Sequence, residues 1–148
     1  MRDFQKNGRS MTYAENGMCA ASHPLAAQVG VQILQAGGNA VDAGIAAAMV
    51  LNICEPHMTG LGGDCFALVQ PREGAEIIGL NASGRAPASA NAAALRAAGR
   101  TGIASDSADA VTMPGAVDGL LRLIEDYGHI GRDRVLAPAI HYAESGLP

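Results

Sequence analysis

The segment that most constrains the fold is an alanine-rich stretch over residues 40–51, which is apolar on nearly every helical face. Asn39 precedes it as a helix-capping residue, Asp42 lies in its first turn, and Glu55-Pro56 ends it, so the pattern predicts a helix. A helix that is apolar all round is stable only when other elements cover it. We therefore expect this helix to be buried on all sides.

Turn and capping residues divide the rest of the chain into short elements. The first predicted elements are an extended lead-in over 1–16, a buried strand over 17–22, and a helix that Ser22 and Pro24 open and Gly37-Gly38 close. Two strands follow over 65–69 and 75–80, with a turn over 71–74 between them. Three more helices are predicted over 90–98, between Pro114-Gly115 and Gly128, and over 132–145. Apolar spacing predicts one buried face on the helix before Gly128, made of Val117, Leu120, Leu121 and Ile124. Pro138 is expected to break or restart the last helix.

The predicted core is small for a chain of 148 residues. Only 3% of the residues are aromatic and none is tryptophan, so small aliphatic side chains, which each bury little apolar area, must fill it. The few predicted strands do not close a core well by themselves. The sequence therefore predicts an α+β fold that gains stability by packing against more protein.

Charge and hydropathy argue against two classes of partner. The net charge is -4 and basic residues occur without a basic run, so no nucleic-acid surface is expected. The longest apolar run, over 40–54, is interrupted by Asp42 and Asn52 and is too short to span a membrane. The first ten residues are polar and lack the apolar core of a signal peptide, so we expect a cytoplasmic protein without membrane contact.

No metal or cofactor site is predicted. The four histidines, at positions 23, 57, 129 and 141, show no ligand spacing. Cys19, Cys54 and Cys65 form no CxxC pair, and we interpret them as small buried hydrophobic residues in a reducing compartment, with a disulfide as the alternative. The glycine-rich stretch over 60–64 precedes a predicted strand, whereas a phosphate-binding loop opens a helix, so a tight turn is favoured.

Arg85 is the candidate substrate-binding residue. It follows the predicted strand 75–80, with Gly84 before it and Pro87 close behind, and these neighbours redirect and stiffen the chain. A guanidinium group held at the end of a strand suits bidentate recognition of a carboxylate. From the residues alone, a surface arginine or an internal salt bridge is the alternative interpretation.

Five ordered blocks and a similar closing segment resemble the start of gamma-glutamyltranspeptidases. They cover the chain from about residue 8 to its end. The blocks are 17–28 (GMCAASHPLAAQ), 33–43 (ILQAGGNAVDA), 55–64 (EPHMTGLGGD), 83–87 (SGRAP) and 112–119 (TMPGAVDG), and the closing segment is 136–146 (LAPAIHYAESG).

This resemblance implies a fold and a mechanism. It implies that residues 17–148 are the N-terminal part of a large subunit, in a four-layer αββα sandwich of the N-terminal-nucleophile hydrolases that is incomplete in this chain. The implied precursor cleaves itself before a threonine far downstream, which then attacks gamma-glutamyl amides such as glutathione, with its own amine as base. The implied partner is the small subunit of the same precursor, and no metal or organic cofactor is needed. No catalytic residue is expected in this chain, since none of its threonines matches the family's nucleophile motif (Thr12, Thr59, Thr101 and Thr112).

The block around Arg85 departs from the family's pattern. Better-known members hold the substrate carboxylate with an arginine in a block ending Asp-x-Arg-Glu-x-Ala-Pro. Aligned on Ala86-Pro87, that place is taken by Ser83, and Arg85 falls two residues later. Arg85 and Ser83 are therefore the candidate substrate-binding residues, and the loop form resembles a cytoplasmic, transpeptidase-like branch of the family. A cephalosporin-acylase-like amidohydrolase and a non-catalytic truncated paralogue are the alternative functions.

Overall fold

The computed structural model describes residues 10–148, so residues 1–9 of the predicted lead-in lie outside the described residues. Residues 10–23 form neither helix nor strand. The elements that follow are α1 (Pro24–Gln35), α2 (Ala40–Cys54), β1 (Cys65–Val69), β2 (Ile78–Ala82), α3 (Ala92–Ala97), a short 3-10 turn (Ala108–Ala110), α4 (Ala116–Tyr127) and α5 (Arg132–Ser145). This mixture of helices with one small sheet confirms the predicted α+β class.

Helix α2 is the centre of the helical layer. It contacts α1, α4 and α5, and α4 in turn contacts both strands. Small and branched side chains from α1, α2, α4 and α5 form the core, with Val29, Val50 and Val135 completely buried. The predicted burial of α2 on every side is only partial within residues 10–148, because Gly44 is exposed and Leu51 is half-buried.

The buried carboxylate of Asp42 ties the start of α2 to the turn between α4 and α5. Asn39 and Asp42 form the predicted cap as a complete capping box, in which the Asn39 main-chain N–H donates to Asp42 Oδ2 at 2.9 Å. The main-chain N–H of His129 donates to the same oxygen at 3.0 Å. The side-chain amide of Asn39 also donates to the carbonyl of Tyr127 at 2.6 Å. The α2 cap is therefore a tertiary contact as well as a local one.

Helix α1 ends as predicted and begins one residue later than predicted. Gly37 takes a left-handed conformation (φ +90°), and the N–H of Gly38 donates to the carbonyl of Ile33, which is a Schellman termination. The predicted cap, Ser22, is wrong. Because Pro24 is the first helical residue, the capping position falls on His23, whose Nδ1 accepts from the N–H of Leu25. The Ser22 hydroxyl donates to Glu55 instead.

The two strands pair antiparallel, with Cys65 opposite Ala82 and Val69 opposite Ile78. The first strand matches the predicted 65–69, whereas the second lies at Ile78–Ala82 and not over 75–80. The connection is longer than predicted because the Ala75 N–H donates to the carbonyl of Arg72 and keeps residue 75 in the loop. Along β1, half-buried side chains facing the helices alternate with the exposed Phe66 and Leu68.

The predicted strand over 17–22 is wrong, because β1 and β2 pair with each other and no described strand lies beside this segment. Cys19 and Ala21 instead pack against the helical core. A Cβ added at Gly30 of α1 would overlap the Cys19 sulfur, so Cys19 lies directly on that helix. The helix predicted over 90–98 is shorter than expected (Ala92–Ala97), since the side chain of Asn91 caps it.

The predicted buried face of α4 is confirmed at Leu120 and Ile124, is half-buried at Leu121 and is wrong at Val117. Val117 is 41% exposed, and the face that packs inward runs through Gly119, Leu120 and Leu123. Gly119 sets this orientation, because a Cβ there would overlap the Cβ of Ala82 in β2.

The predicted break at Pro138 is also wrong, since α5 is continuous from Arg132 to Ser145. Proline removes one helical N–H. The buried residues Val135 and Ala139, on either side of it, anchor the helix against the core.

Candidate functional site

Arg85 lies in the loop that leaves β2, as its position in the sequence predicts. Its side chain is exposed, and its guanidinium group makes no ion pair with any residue from 10 to 148. The internal salt bridge considered from the sequence is therefore not formed within this part of the chain. The guanidinium group is free to bind an external carboxylate.

The main chain of this loop is held on both sides of Gly84. We call residues 83–87 the arginine loop and residues 112–115 the brace. The Thr112 hydroxyl donates to the carbonyl of Ser83 at 2.9 Å, and the Met113 N–H donates to the carbonyl of Arg85 at 2.9 Å. The Ser83 N–H is bonded in turn to the side chain of Asn81 at 3.0 Å. The arginine loop is thus fixed by the brace and by its own strand end.

Glycine is required where the arginine loop meets the brace. Gly84 takes a left-handed conformation (φ +77°), and a Cβ there would overlap the carbonyl oxygen of Met113. A Cβ on Gly115 would overlap the carbonyl oxygen of Ala82. The two segments therefore pack main chain against main chain, with no room for side chains between them.

The glycine-rich stretch over 60–64 is a turn, and it caps α4. The main-chain N–H groups of Gly115 and Ala116 both donate to the carbonyl of Gly63 at 3.1 Å. Helix α4 has no side-chain cap, so this carbonyl satisfies donors that a helix start leaves unpaired. Three of the blocks that carry the family resemblance therefore meet at the start of α4.

A cavity of about 460 Å³ borders this junction, between the end of α2, the glycine turn and the start of α4. Its lining includes Gly63 and Ala116 beside the polar side chains of Asn52, His57 and Asp64. The junction thus adjoins a space that is large enough for a small ligand or a segment of chain.

The three cysteines are free thiols and half-buried. Burial raises the pKa of the Cys19 thiol, and it raises the pKa of Cys54 and Cys65 together with the nearby charges of Glu55 and Asp64. A raised pKa disfavours the thiolate, so these thiols lack the activation of a catalytic cysteine.

Neither a metal cluster nor a membrane span is found among the described residues. Between residues 10 and 148, no group of three His, Cys, Asp or Glu side chains could hold a metal ion. Over the same residues, no helix combines the length and hydropathy needed to cross a bilayer.

Comparison with known proteins identifies the class and then the family. The crystal structure of a cephalosporin acylase from Bacillus halodurans superposes on the whole chain with a TM-score of 0.85 at 46% identity, and the match covers 28% of that protein. The helices and the two-stranded sheet thus match part of an N-terminal-nucleophile hydrolase fold. The family model of gamma-glutamyltranspeptidase matches residues 26–148. The chain belongs to the gamma-glutamyltranspeptidase family.

Two curated relatives are similar over most of this chain. The "glutathione hydrolase-like YwrD proenzyme" of Bacillus subtilis is 39% identical over 132 residues, which are 88% of this chain and 25% of that protein. The "oxamate amidohydrolase proenzyme" of Klebsiella pneumoniae is 39% identical over an alignment of 149 positions, which covers 94% of this chain and 27% of that protein. The chain therefore spans about a quarter of the length of these relatives.

The sequence names Arg85 and Ser83 as candidate residues but does not predict the brace. Thr112 was considered only as a nucleophile and rejected, although it bonds to Ser83 across 29 positions in sequence. The only sequence signal shared by 83–87 and 112–119 is that both are family-like blocks.

Proposed function

We propose that this chain is the N-terminal part of the large subunit of a self-processing enzyme that cleaves gamma-glutamyl amides, glutathione among them, by hydrolysis or acyl transfer. Membership of the gamma-glutamyltranspeptidase family supports this, as does the similarity to a glutathione hydrolase-like proenzyme. Because the chain spans about a quarter of that relative, we assign the nucleophilic threonine and the small subunit to the rest of the polypeptide. The 148-residue chain alone is expected to be inactive.

The placement of the Arg85 side chain is the main observation that supports this proposal. Its main chain is held by the brace, while its guanidinium group is exposed and unpaired within residues 10–148. A gamma-glutamyl group carries an alpha-carboxylate at the end opposite the scissile amide. A guanidinium group that binds this carboxylate sets the distance from the amide to the downstream nucleophile, and such positioning lowers the entropic barrier to acyl transfer. Ser83 supports the loop, since its carbonyl accepts from Thr112.

The uncovered face of the sheet supports the proposal that this chain is part of a longer protein. Phe66 is 65% exposed and Leu68 is 81% exposed, both on the face of β1 that points away from the helices. Large apolar side chains clustered on one face favour a covering layer. In a four-layer sandwich, a second sheet would supply that layer.

An amidohydrolase that acts on a different acyl group is the second candidate. The 46% identity to a cephalosporin acylase favours it, as does the two-residue shift of Arg85 from the arginine position of the better-known enzymes. The relative named for oxamate hydrolysis points the same way, and oxamate is itself an amide that carries a carboxylate. A non-catalytic paralogue is the third candidate. The cytoplasmic location stays a prediction, as does membership of the transpeptidase-like branch of the family.

The first test concerns the full-length polypeptide. The reading frame beyond residue 148 is expected to encode a second half with a threonine after a short polar linker. The purified product should then split into two subunits. A stop codon directly after Pro148 would exclude the enzyme for this chain and favour the non-catalytic paralogue.

The second test separates the two enzymatic candidates. Release of glutamate from a gamma-glutamyl anilide supports the gamma-glutamyl enzyme. Self-cleavage without that release, together with hydrolysis of a glutaryl anilide, which lacks only the alpha-amino group, favours the acylase.

The third test concerns Arg85 itself. Arg85→Lys keeps the charge but loses the forked geometry, so KM for the gamma-glutamyl anilide should rise about tenfold or more while self-cleavage is unchanged. Arg72→Lys, at the opposite end of the hairpin, is the matched control. An unchanged KM in Arg85→Lys would make Arg85 a structural residue.

A further inference from the structure

We propose that Thr112 is a positioning residue for substrate binding, because its hydroxyl group fixes the loop that presents Arg85. The inference rests on the proposed function of Arg85 as the carboxylate-binding residue. It extends that function from the residue that touches substrate to the residue that holds it in place.

The brace holds the main chain on both sides of Gly84. The carbonyl groups immediately before and after this glycine belong to Ser83 and Arg85, and each accepts a hydrogen bond from the brace at 2.9 Å. Glycine also has more intrinsic main-chain freedom than the other residues of the loop. Holding both neighbouring carbonyls restricts the main-chain rotations that would otherwise swing the Arg85 side chain.

The brace connects the arginine loop to the helical layer. The brace leads directly into α4, and the N–H groups of Gly115 and Ala116 are bonded to the carbonyl of Gly63. Helix α4 contacts α2 and both strands. The Thr112 hydroxyl therefore links the arginine loop to the helical layer, not to another mobile loop.

The Thr112 side chain positions the arginine loop but adds little to the stability of the fold. Thr112 is exposed within residues 10–148, so its side chain contributes little to the core. The Met113 bond uses a main-chain N–H and survives any side-chain change. Loss of the Thr112 hydroxyl thus loosens the arginine loop without unpacking the fold. A looser loop must be ordered when substrate binds, and that cost appears in KM.

The experiment compares KM and kcat of variants of the full-length enzyme on a gamma-glutamyl anilide. Thr112→Val removes the hydroxyl and should raise KM about 3- to 10-fold, with little change in kcat, as expected for one hydrogen bond. Thr112→Ser keeps the hydroxyl and should restore the wild-type KM. Thr101→Val, the same change at another exposed threonine, is the matched control. If Thr112→Val does not self-cleave, Thr112→Ala replaces it.

A double-mutant cycle with Arg85 tests whether Thr112 acts through that residue. In the Arg85→Ala background, Thr112→Val should not raise KM further. On a butyryl anilide, which has no carboxylate, it should have no effect in either background.

Three outcomes would overturn the inference. If KM responds to Arg85→Ala but not to Thr112→Val, the positioning role falls and the proposed function stands. If Thr112→Val raises KM equally in both backgrounds, Thr112 acts on something other than Arg85. An unchanged KM in Arg85→Ala would overturn the carboxylate-binding role itself, and the inference with it.

Discussion

Replacing Asp42 by asparagine is expected to destabilise the link between α2 and the α4–α5 turn by about 1.3 to 4 kcal/mol. The Asp42 carboxylate is completely buried and accepts the main-chain N–H groups of Asn39 and His129. Asparagine has nearly the same shape but only one acceptor oxygen. Oδ2 accepts both N–H groups, and Oδ1 also accepts from the His129 N–H at 3.1 Å. In asparagine the amide nitrogen takes one of these two places, so a donor faces the His129 N–H in either orientation.

The magnitude follows from these contacts. An amide donor that faces the buried His129 N–H and disrupts its hydrogen bond costs about 1 to 3 kcal/mol. Loss of the negative charge in the first turn of α2 adds about 0.3 to 1 kcal/mol through the helix dipole. Asp118 lies in the first turn of α4 but is exposed, so Asp118→Asn isolates the second contribution.

Hydrogen exchange of the His129 amide in the full-length protein measures the loss directly. A loss of about 1.4 kcal/mol or more corresponds to exchange at least about tenfold faster in Asp42→Asn, since about 1.4 kcal/mol is a factor of ten. Asp118→Asn should leave that rate almost unchanged. Equal rates in the two variants would refute the assignment of the Asp42 carboxylate as the acceptor that holds this turn.

Two further predictions concern Cys19 and the other thiols. Gly30→Ala should destabilise the protein by about 1 to 3 kcal/mol because the added methyl group overlaps the Cys19 sulfur. Thermal unfolding measures the loss, and failure of a second change, Cys19→Gly, to recover most of it would contradict this packing. Cys19, Cys54 and Cys65 should alkylate more slowly at about pH 8 than a free cysteine, because the raised pKa of each lowers the thiolate fraction there. Mass spectrometry of the three peptides checks this, with rates equal to those of free cysteine as the contrary result.

Helix ends were the most predictable part of the fold. Asn39 with Asp42, and Gly37 with Gly38, form the cap and the termination that their residue types indicate. A helix terminus leaves main-chain groups unpaired, and few residue types can satisfy them locally. Such signals depend on neighbours in sequence, so a single sequence contains them.

Contacts between distant segments were not predictable in the same way. The bond from Thr112 to Ser83 and the capping of α4 by Gly63 involve main-chain carbonyls, which every residue possesses. The strand wrongly predicted over 17–22 failed for a related reason, since an apolar run does not reveal whether another strand lies beside it. Val117 was placed on the wrong face because the approach of Gly119 to β2 sets the rotation of the helix.

The hydrogen bond between the Arg85 carbonyl and the Met113 N–H closes residues 86–112 into an excursion whose two ends meet. No residue of this excursion is fully buried. Doubling the length of a flexible loop costs only about 0.6 kcal/mol. Insertions, deletions and sequence drift can therefore accumulate over residues 88–111 while the brace and the helical layer stay as they are. Evolution can reshape this surface segment without touching the frame that holds the arginine loop.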